Sequence, residues 1–190
     1  MSLVPELDKI RQEIEAINDR AVGLCEGLGE EELAWRPGPG SWSIAENLVH
    51  LKVTTEIFLP SADRAIDEAR RRNLIGRGPF RLGLMGRIYV WYVEPPPRIR
   101  LPAPKPLQPL LRGPATQALP EFLAAQESMA KRLEAANGLD LCKARISSPL
   151  AKYIRMSLLA FFSVFTGHGR RHLWQASNLR RQLRQQLDPK

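Results

Sequence analysis

Seven of the residues from Glu94 to Pro109 are prolines, and no other feature of the chain restricts its fold as much. Each proline lacks a backbone N–H and holds φ at about −65°, so neither a helix nor an interior strand can run through the segment. It reads as an extended, partly polyproline-like connection. In a helical bundle, a connection this long lets the helices it joins run parallel by crossing over the end, where a short loop would make them antiparallel. The wider stretch of residues 74–114 stays open. Gly76, Gly78 and Pro79 break the pattern, and Leu82 to Val93 is apolar enough for a short helix or for a segment covering the bundle.

On either side the apolar residues follow a helical period. Leu7, Ile10, Ile14, Ile17, Ala21 and Leu24 recur at steps of three and four, which predicts a first helix from Pro5 to Glu26, with proline in the first turn where its missing donor costs nothing. Trp35-Arg36-Pro37-Gly38-Pro39-Gly40 must turn the chain. Ser43-Ile44-Ala45-Glu46 has the form of a capping box, so a second helix starts there and runs to about Asn73. A third spans about Thr116 to Ala136, with Leu119, Phe122, Leu123, Gln126, Met129, Ala130 and Leu133 as its stripe and Asn137-Gly138 as its stop. The fourth begins near Ser157, a suitable N-cap, and continues to about Leu187. Alternating apolar strands are missing, so the expected class is all-α. A chain of 190 residues that is 44% hydrophobic suffices for one core, and one domain over 1–190 is expected.

The formal net charge is +8, but its densest groups, Arg70 to Arg72, Arg98 to Lys105, and Arg170-Arg171 with Arg180, Arg181 and Arg184, are dispersed and do not interleave with aromatics. They read as solvated faces, and no nucleic-acid partner is expected. Even the richest apolar run, Leu158 to Phe165, is far short of a membrane span, so no membrane partner is expected either. The first residues lack the layout of a secretory signal, and Cys25 and Cys142 show no disulfide or metal spacing; both points favour the cytoplasm.

The chain has three histidines. His168 and His172 stand at i and i+4, a spacing that projects both imidazoles from one helix face, within reach of one divalent ion. They continue the line Phe161, Phe165, His168, His172, Ala176, Leu179, which otherwise faces the core. A plain hydrogen-bonded pair of buried histidines satisfies the spacing equally well. Two adjacent core imidazoles are costly if charged, however, and each neutral ring needs a partner for both nitrogens, a problem that a cation removes. His50 alone reads as an ordinary helix histidine.

The run from Trp35 to Leu51, in which a Pro/Gly turn and Trp42-Ser43-Ile44-Ala45-Glu46 lead to His50-Leu51, resembles the first motif of the DinB/YfiT-like family of metalloenzymes. The segment His168-Gly169-Arg170-Arg171-His172-Leu173-Trp174-Gln175 is similar to the second, H-x-x-R-H-x-x-Q. The resemblance covers essentially the whole chain. It implies an up-down-down-up four-helix bundle, a homodimer, and a divalent metal held by His50, His168 and His172.

Three neutral imidazoles leave coordination positions open, as in a catalytic site, and suit zinc or nickel first. The expected chemistry is activation of water, making a hydrolase, or of a low-molecular-weight thiol cosubstrate, making an S-transferase, in either case on a small-molecule substrate. The thiol reading follows from thiol-dependent transferases related to the family. Glu46 is a candidate base or outer partner, with capping as its simpler role; Gln175 is a candidate to orient a ligand or water; Trp42 reads as packing at the bundle end. The competing expectation is a non-catalytic, stress-related binding or scaffold protein that the ion merely stabilises.

Overall fold

The computed structural model describes residues 2–98, 102–151 and 153–187. Helices α1 (Pro5–Cys25), α3 (Ile44–Arg71), α5 (Ala118–Ala135) and α6 (Leu158–Leu187) form a four-helix bundle. Two shorter helices, α2 (Glu30–Ala34) and α4 (Leu84–Val93), lie in the connections. The ends form where the local chemistry places them. Ser43 Oγ accepts from the Glu46 N–H at 3.1 Å while the Glu46 carboxylate accepts from the Ser43 N–H at 2.8 Å, closing the expected capping box of α3. Ser157 Oγ accepts from the Ala160 N–H at 3.2 Å and caps α6. Pro60 interrupts the hydrogen-bond ladder of α3 on an exposed face, where water can satisfy the released carbonyl.

Helix directions follow from which residues meet. Along α1 and α6, Glu13 accepts from Thr166 and Arg170, Ile17 lies against Gly169, and Arg180 reaches the carbonyls of Leu24 and Glu26. Both numberings rise together, so the two helices are parallel. α3 and α5 are parallel as well: Lys52 pairs with Glu121, Asp63 with Arg132, and Arg70 donates to the carbonyl of Ala135. α3 and α6 are antiparallel, because Asn47 meets His172 while Phe58 stacks on Phe161. Val4, just before α1, donates to Asn137, just past α5, and sets those two antiparallel. The order is therefore up, down, down, up, and the proline-rich connection makes the parallel step from α3 to α5.

The all-α class expected from the sequence holds, with one small addition: Arg145–Ser147 (β1) and Arg155–Ser157 (β2) form an antiparallel pair with Ile146 opposite Met156. Strands of three residues are too short to show a period of two. One open choice is settled, because the apolar stretch after Gly83 is a helix, α4, packed along α6.

The core has two parts. One gathers Leu7, Ile10 and Ile14 with Met129, Leu133, Phe161 and Phe162; the other gathers Ile17, Ala21 and Leu24 with Ile44, Leu48, Phe122, Leu173 and Ala176. Burying a side chain such as Phe162 or Leu48 contributes about 2–3 kcal/mol. On α6, His168 and His172 fall between Phe165, which packs on the first part, and Leu173, which belongs to the second.

Candidate metal centre

α6 directs His168 and His172 toward α3, which brings His50 and Asn47 from one turn apart on its own inner face. Gly169 lets this happen: a Cβ there would sit 3.1 Å from Ile17 Cδ1, so its absence lets α1 approach α6 beside His168. The three ring centroids are 5.1 Å (His50–His168), 4.4 Å (His50–His172) and 4.6 Å (His168–His172) apart. The ligand-capable nitrogens all lie within 4.8 Å of one another. The three expected ligands are thus brought to one point.

The hydrogen bonds around the rings determine where the lone pairs go. His50 Nδ1–H donates to the carbonyl oxygen of Leu107 at 2.6 Å, which leaves His50 Nε2 bare. Asn47 donates through Nδ2 to the Ser43 carbonyl at 2.8 Å, so its Oδ1 faces His172 and accepts from Nδ1–H at 3.0 Å. His172 Nε2 is bare in turn. Both outer acceptors are oxygens that orient an imidazole and make it a better donor to a metal. His50 Nε2 and His168 Nε2 are 3.3 Å apart, which matches one edge, about 3.3 Å, of a tetrahedron around zinc with ligands at about 2.0–2.1 Å.

Burial lowers the pKa of all three imidazoles. His168 falls to about 3, through burial first and then repulsion from His50 and Arg171, and His172 falls well below its ordinary value through burial and the other two rings. His50 is lowered by burial, opposed by its bond to Leu107. At neutral pH the rings are uncharged and their lone pairs are available, as metal ligation requires. Donor type, convergence and tautomers therefore fit a divalent ion.

The remaining candidates separate. Glu46 is buried and committed to the cap and to a two-pronged pair with Arg36, Nε to Oε2 at 2.7 Å and Nη2 to Oε1. Gln175 is half-buried and, among the described residues, makes no hydrogen bond to the histidines. Trp42 does more than pack the bundle end: its ring lies 4.8 Å from His50 and 5.8 Å, nearly parallel, from His172, forming one wall of the site. Sequence reasoning missed Asn47, which its spacing of three before His50 could have revealed, and the Leu107 carbonyl, which has no sequence signature. Neither cysteine joins the cluster, and burial pushes the Cys25 thiol up to about 11. A groove of about 990 Å³ between α3, residues 105–114 and the start of α5 is lined by Pro106 and Gln108 but by no histidine. Leu107, buried between those two, separates it from the cluster.

A family model described as the DinB superfamily matches residues 13–176. The chain belongs to the DinB superfamily. In fold it is similar to YfiT from Bacillus subtilis, described as a probable metal-dependent hydrolase with an unusual four-helix bundle topology; that likeness covers 96% of this chain and 91% of YfiT, with a TM-score of 0.61 at 14% identity. No curated protein matches the chain significantly. The DinB assignment spans both histidine-bearing segments, so the cluster lies inside the matched region.

Proposed function

We propose that this DinB protein is a metal-dependent enzyme acting on a small molecule, with His50, His168 and His172 as ligands of zinc or nickel. The observation that carries the reading is the convergence of three neutral imidazoles within 4.8 Å, with no carboxylate or thiolate joining them among the described residues. Such a donor set leaves the charge of the ion uncompensated and coordination positions free. When bound, the ion supplies Lewis acidity that turns a water, or a low-molecular-weight thiol, into a nucleophile near neutral pH.

The protein's own residues prepare that chemistry. Leu107 and Asn47 hold two of the rings in the tautomer that presents Nε2. Trp42 lies against His50 and His172 and limits the water around them. Glu46, the nearest carboxylate in sequence, is committed to the cap and to Arg36, so a bound ion would supply the acidity that prepares the nucleophile. Hydrolysis is the first reading, in keeping with the function suggested for YfiT; thiol transfer uses the same centre.

The test is elemental analysis of protein purified without an affinity tag, beside His50→Ala, followed by hydrolase and thiol-transfer screens. Near-stoichiometric zinc or nickel in the wild type, lost in the variant together with any activity found, is the expected result. Stoichiometric metal whose removal lowers the melting temperature with no turnover in either screen would favour the stabilised scaffold. No metal after reconstitution would refute the centre.

A further inference from the structure

Carboxylates are distributed unevenly. Between Ala69 and Pro120 the only one is Glu94, and between Leu141 and Leu187 there is none. These stretches supply α4, the β-hairpin and α6, and the fold packs them together: α4 lies along α6 and touches β2. Glu94 is itself paired with Arg170. The segments that pack around α4 are therefore rich in arginine and nearly free of carboxylates. There Arg81, Arg87, Arg98, Arg145 and Arg155 are exposed, and none makes an ion pair among the described residues.

α4 is apolar on two faces. Its inner face fits closely on α6: a Cβ on Gly86 would come within 3.0 Å of Ala160, and one on Gly167 within 2.8 Å of Val93. Its outer face carries Leu84, Ile88 and Trp91 at i, i+4 and i+7, exposed by 72%, 45% and 52%. A surface helix ordinarily turns polar residues outward, and a stripe like this one needs a cover. The hairpin tip adds Tyr153, 91% exposed. The Arg98 guanidinium lies 4.7 Å above the Trp91 ring, placing a cation at the border of the stripe.

We propose that α4 and the hairpin tip form a docking face for the surface of an anionic lipid bilayer. The basic rim selects this occupant. A second copy meeting the same face across a two-fold axis would bring the same arginines together, on partners each carrying a formal net charge of +8. Nucleic acid would use the charge but leave Leu84, Ile88 and Trp91 without an apolar partner. A bilayer interface satisfies both: the apolar stripe enters the headgroup–acyl boundary, Trp and Tyr sit at headgroup level, and arginines meet anionic lipids. The attachment is superficial, since among the described residues no helix is long and apolar enough to cross a membrane. The expectation of no membrane partner rested on the lack of a span, which docking at a bilayer surface does not need. This proposal is independent of the metal centre.

Co-sedimentation of the full chain with phosphatidylcholine vesicles, with and without phosphatidylserine, tests it. Binding to the serine-containing vesicles alone is expected, declining with added salt, weakened about fivefold by Arg87→Gln and about tenfold or more by Ile88→Asp. Ile88 is exposed, so an unchanged thermal melt will show that the variant folds. Failure to bind anionic vesicles at low salt overturns the proposal, as does binding that Ile88→Asp leaves intact. A dimer dissociated by Ile88→Asp in sedimentation velocity would assign the face to a second copy. Duplex DNA binding tighter than vesicle binding and indifferent to Ile88→Asp would assign the charge to nucleic acid.

Discussion

Asn47 Oδ1 accepts a hydrogen bond from His172 Nδ1 at 3.0 Å across the α3–α6 interface, and the Asn47 amide is held in that orientation by its own bond to the Ser43 carbonyl. The contact fixes the ring of His172 and its tautomer together. Asn47→Ala removes the acceptor and should weaken metal affinity about 10–100-fold, the usual effect of losing an outer partner. Asn47→Asp keeps an acceptor and should retain most of the affinity. Competition with a chromophoric chelator measures both; equal losses in the two variants would show that Asn47 acts through packing alone.

The depressed histidine pKa values set a pH dependence whose sign can be worked out. Below about pH 6.5 the unfolded chain takes up protons at His50, His168 and His172, while the folded, metal-free protein does not; the unfolded state binds more protons, so stability rises with pH and falls on acidification. His168, at about 3 in the folded state, contributes over the whole interval between. The limiting slope is about 1.4 kcal/mol per pH unit for each histidine that stays neutral. Urea unfolding of metal-free protein between pH 7.5 and 5.5 should show the midpoint falling, and His168→Leu should flatten the slope. An unchanged slope in that variant would mean that carboxylates, and not this ring, carry the effect.

Glu46 tests capping against catalysis. Its carboxylate caps the Ser43 N–H at 2.8 Å and pairs with Arg36, whose side chain is 55% exposed, so the ion pair itself adds little beyond the cap. Glu46→Ala should cost about 1–2 kcal/mol of stability and leave the metal content at wild-type level. Thermal denaturation and elemental analysis report the two effects separately. Loss of metal at unchanged stability would return Glu46 to the site.

What the sequence revealed depended on range. The capping box at Ser43 and Glu46 and the i, i+4 pair at His168 and His172 are local devices, readable because each follows from helix geometry alone. The crossover was legible because seven prolines allow little else between two helices. α4 could not be decided in advance, since residues apolar on both its inner and outer faces blur the helical period. β1 and β2 were missed because three residues show no alternation and the pairing depends on a contact across the loop. Leu107 was beyond reach: any residue supplies a carbonyl, and only the folded crossover brings this one to a histidine 57 positions away.

Arg170 joins three helices beside the histidine cluster. Its guanidinium meets Glu13 of α1 at 2.8 Å and Glu94 at the end of α4, and Thr166 adds a hydroxyl to Glu13 at 2.6 Å. All three charged side chains are about 70% buried, so removing the cation leaves two carboxylates close together and partly desolvated. Arg170→Met preserves the apolar stem and should cost about 2 kcal/mol, discounted for the remaining exposure. The loss should be local: besides this pair, α4 is held to α6 by Arg171 Nη1 donating to the Tyr92 carbonyl at 3.1 Å and by the close contacts of Gly86 with Ala160 and of Gly167 with Val93, none of which reaches the rest of the bundle. Amide hydrogen exchange should therefore accelerate across Leu84–Val93 while α1, α3 and α5 keep their protection. Uniform acceleration throughout the bundle would instead make Arg170 a determinant of global stability.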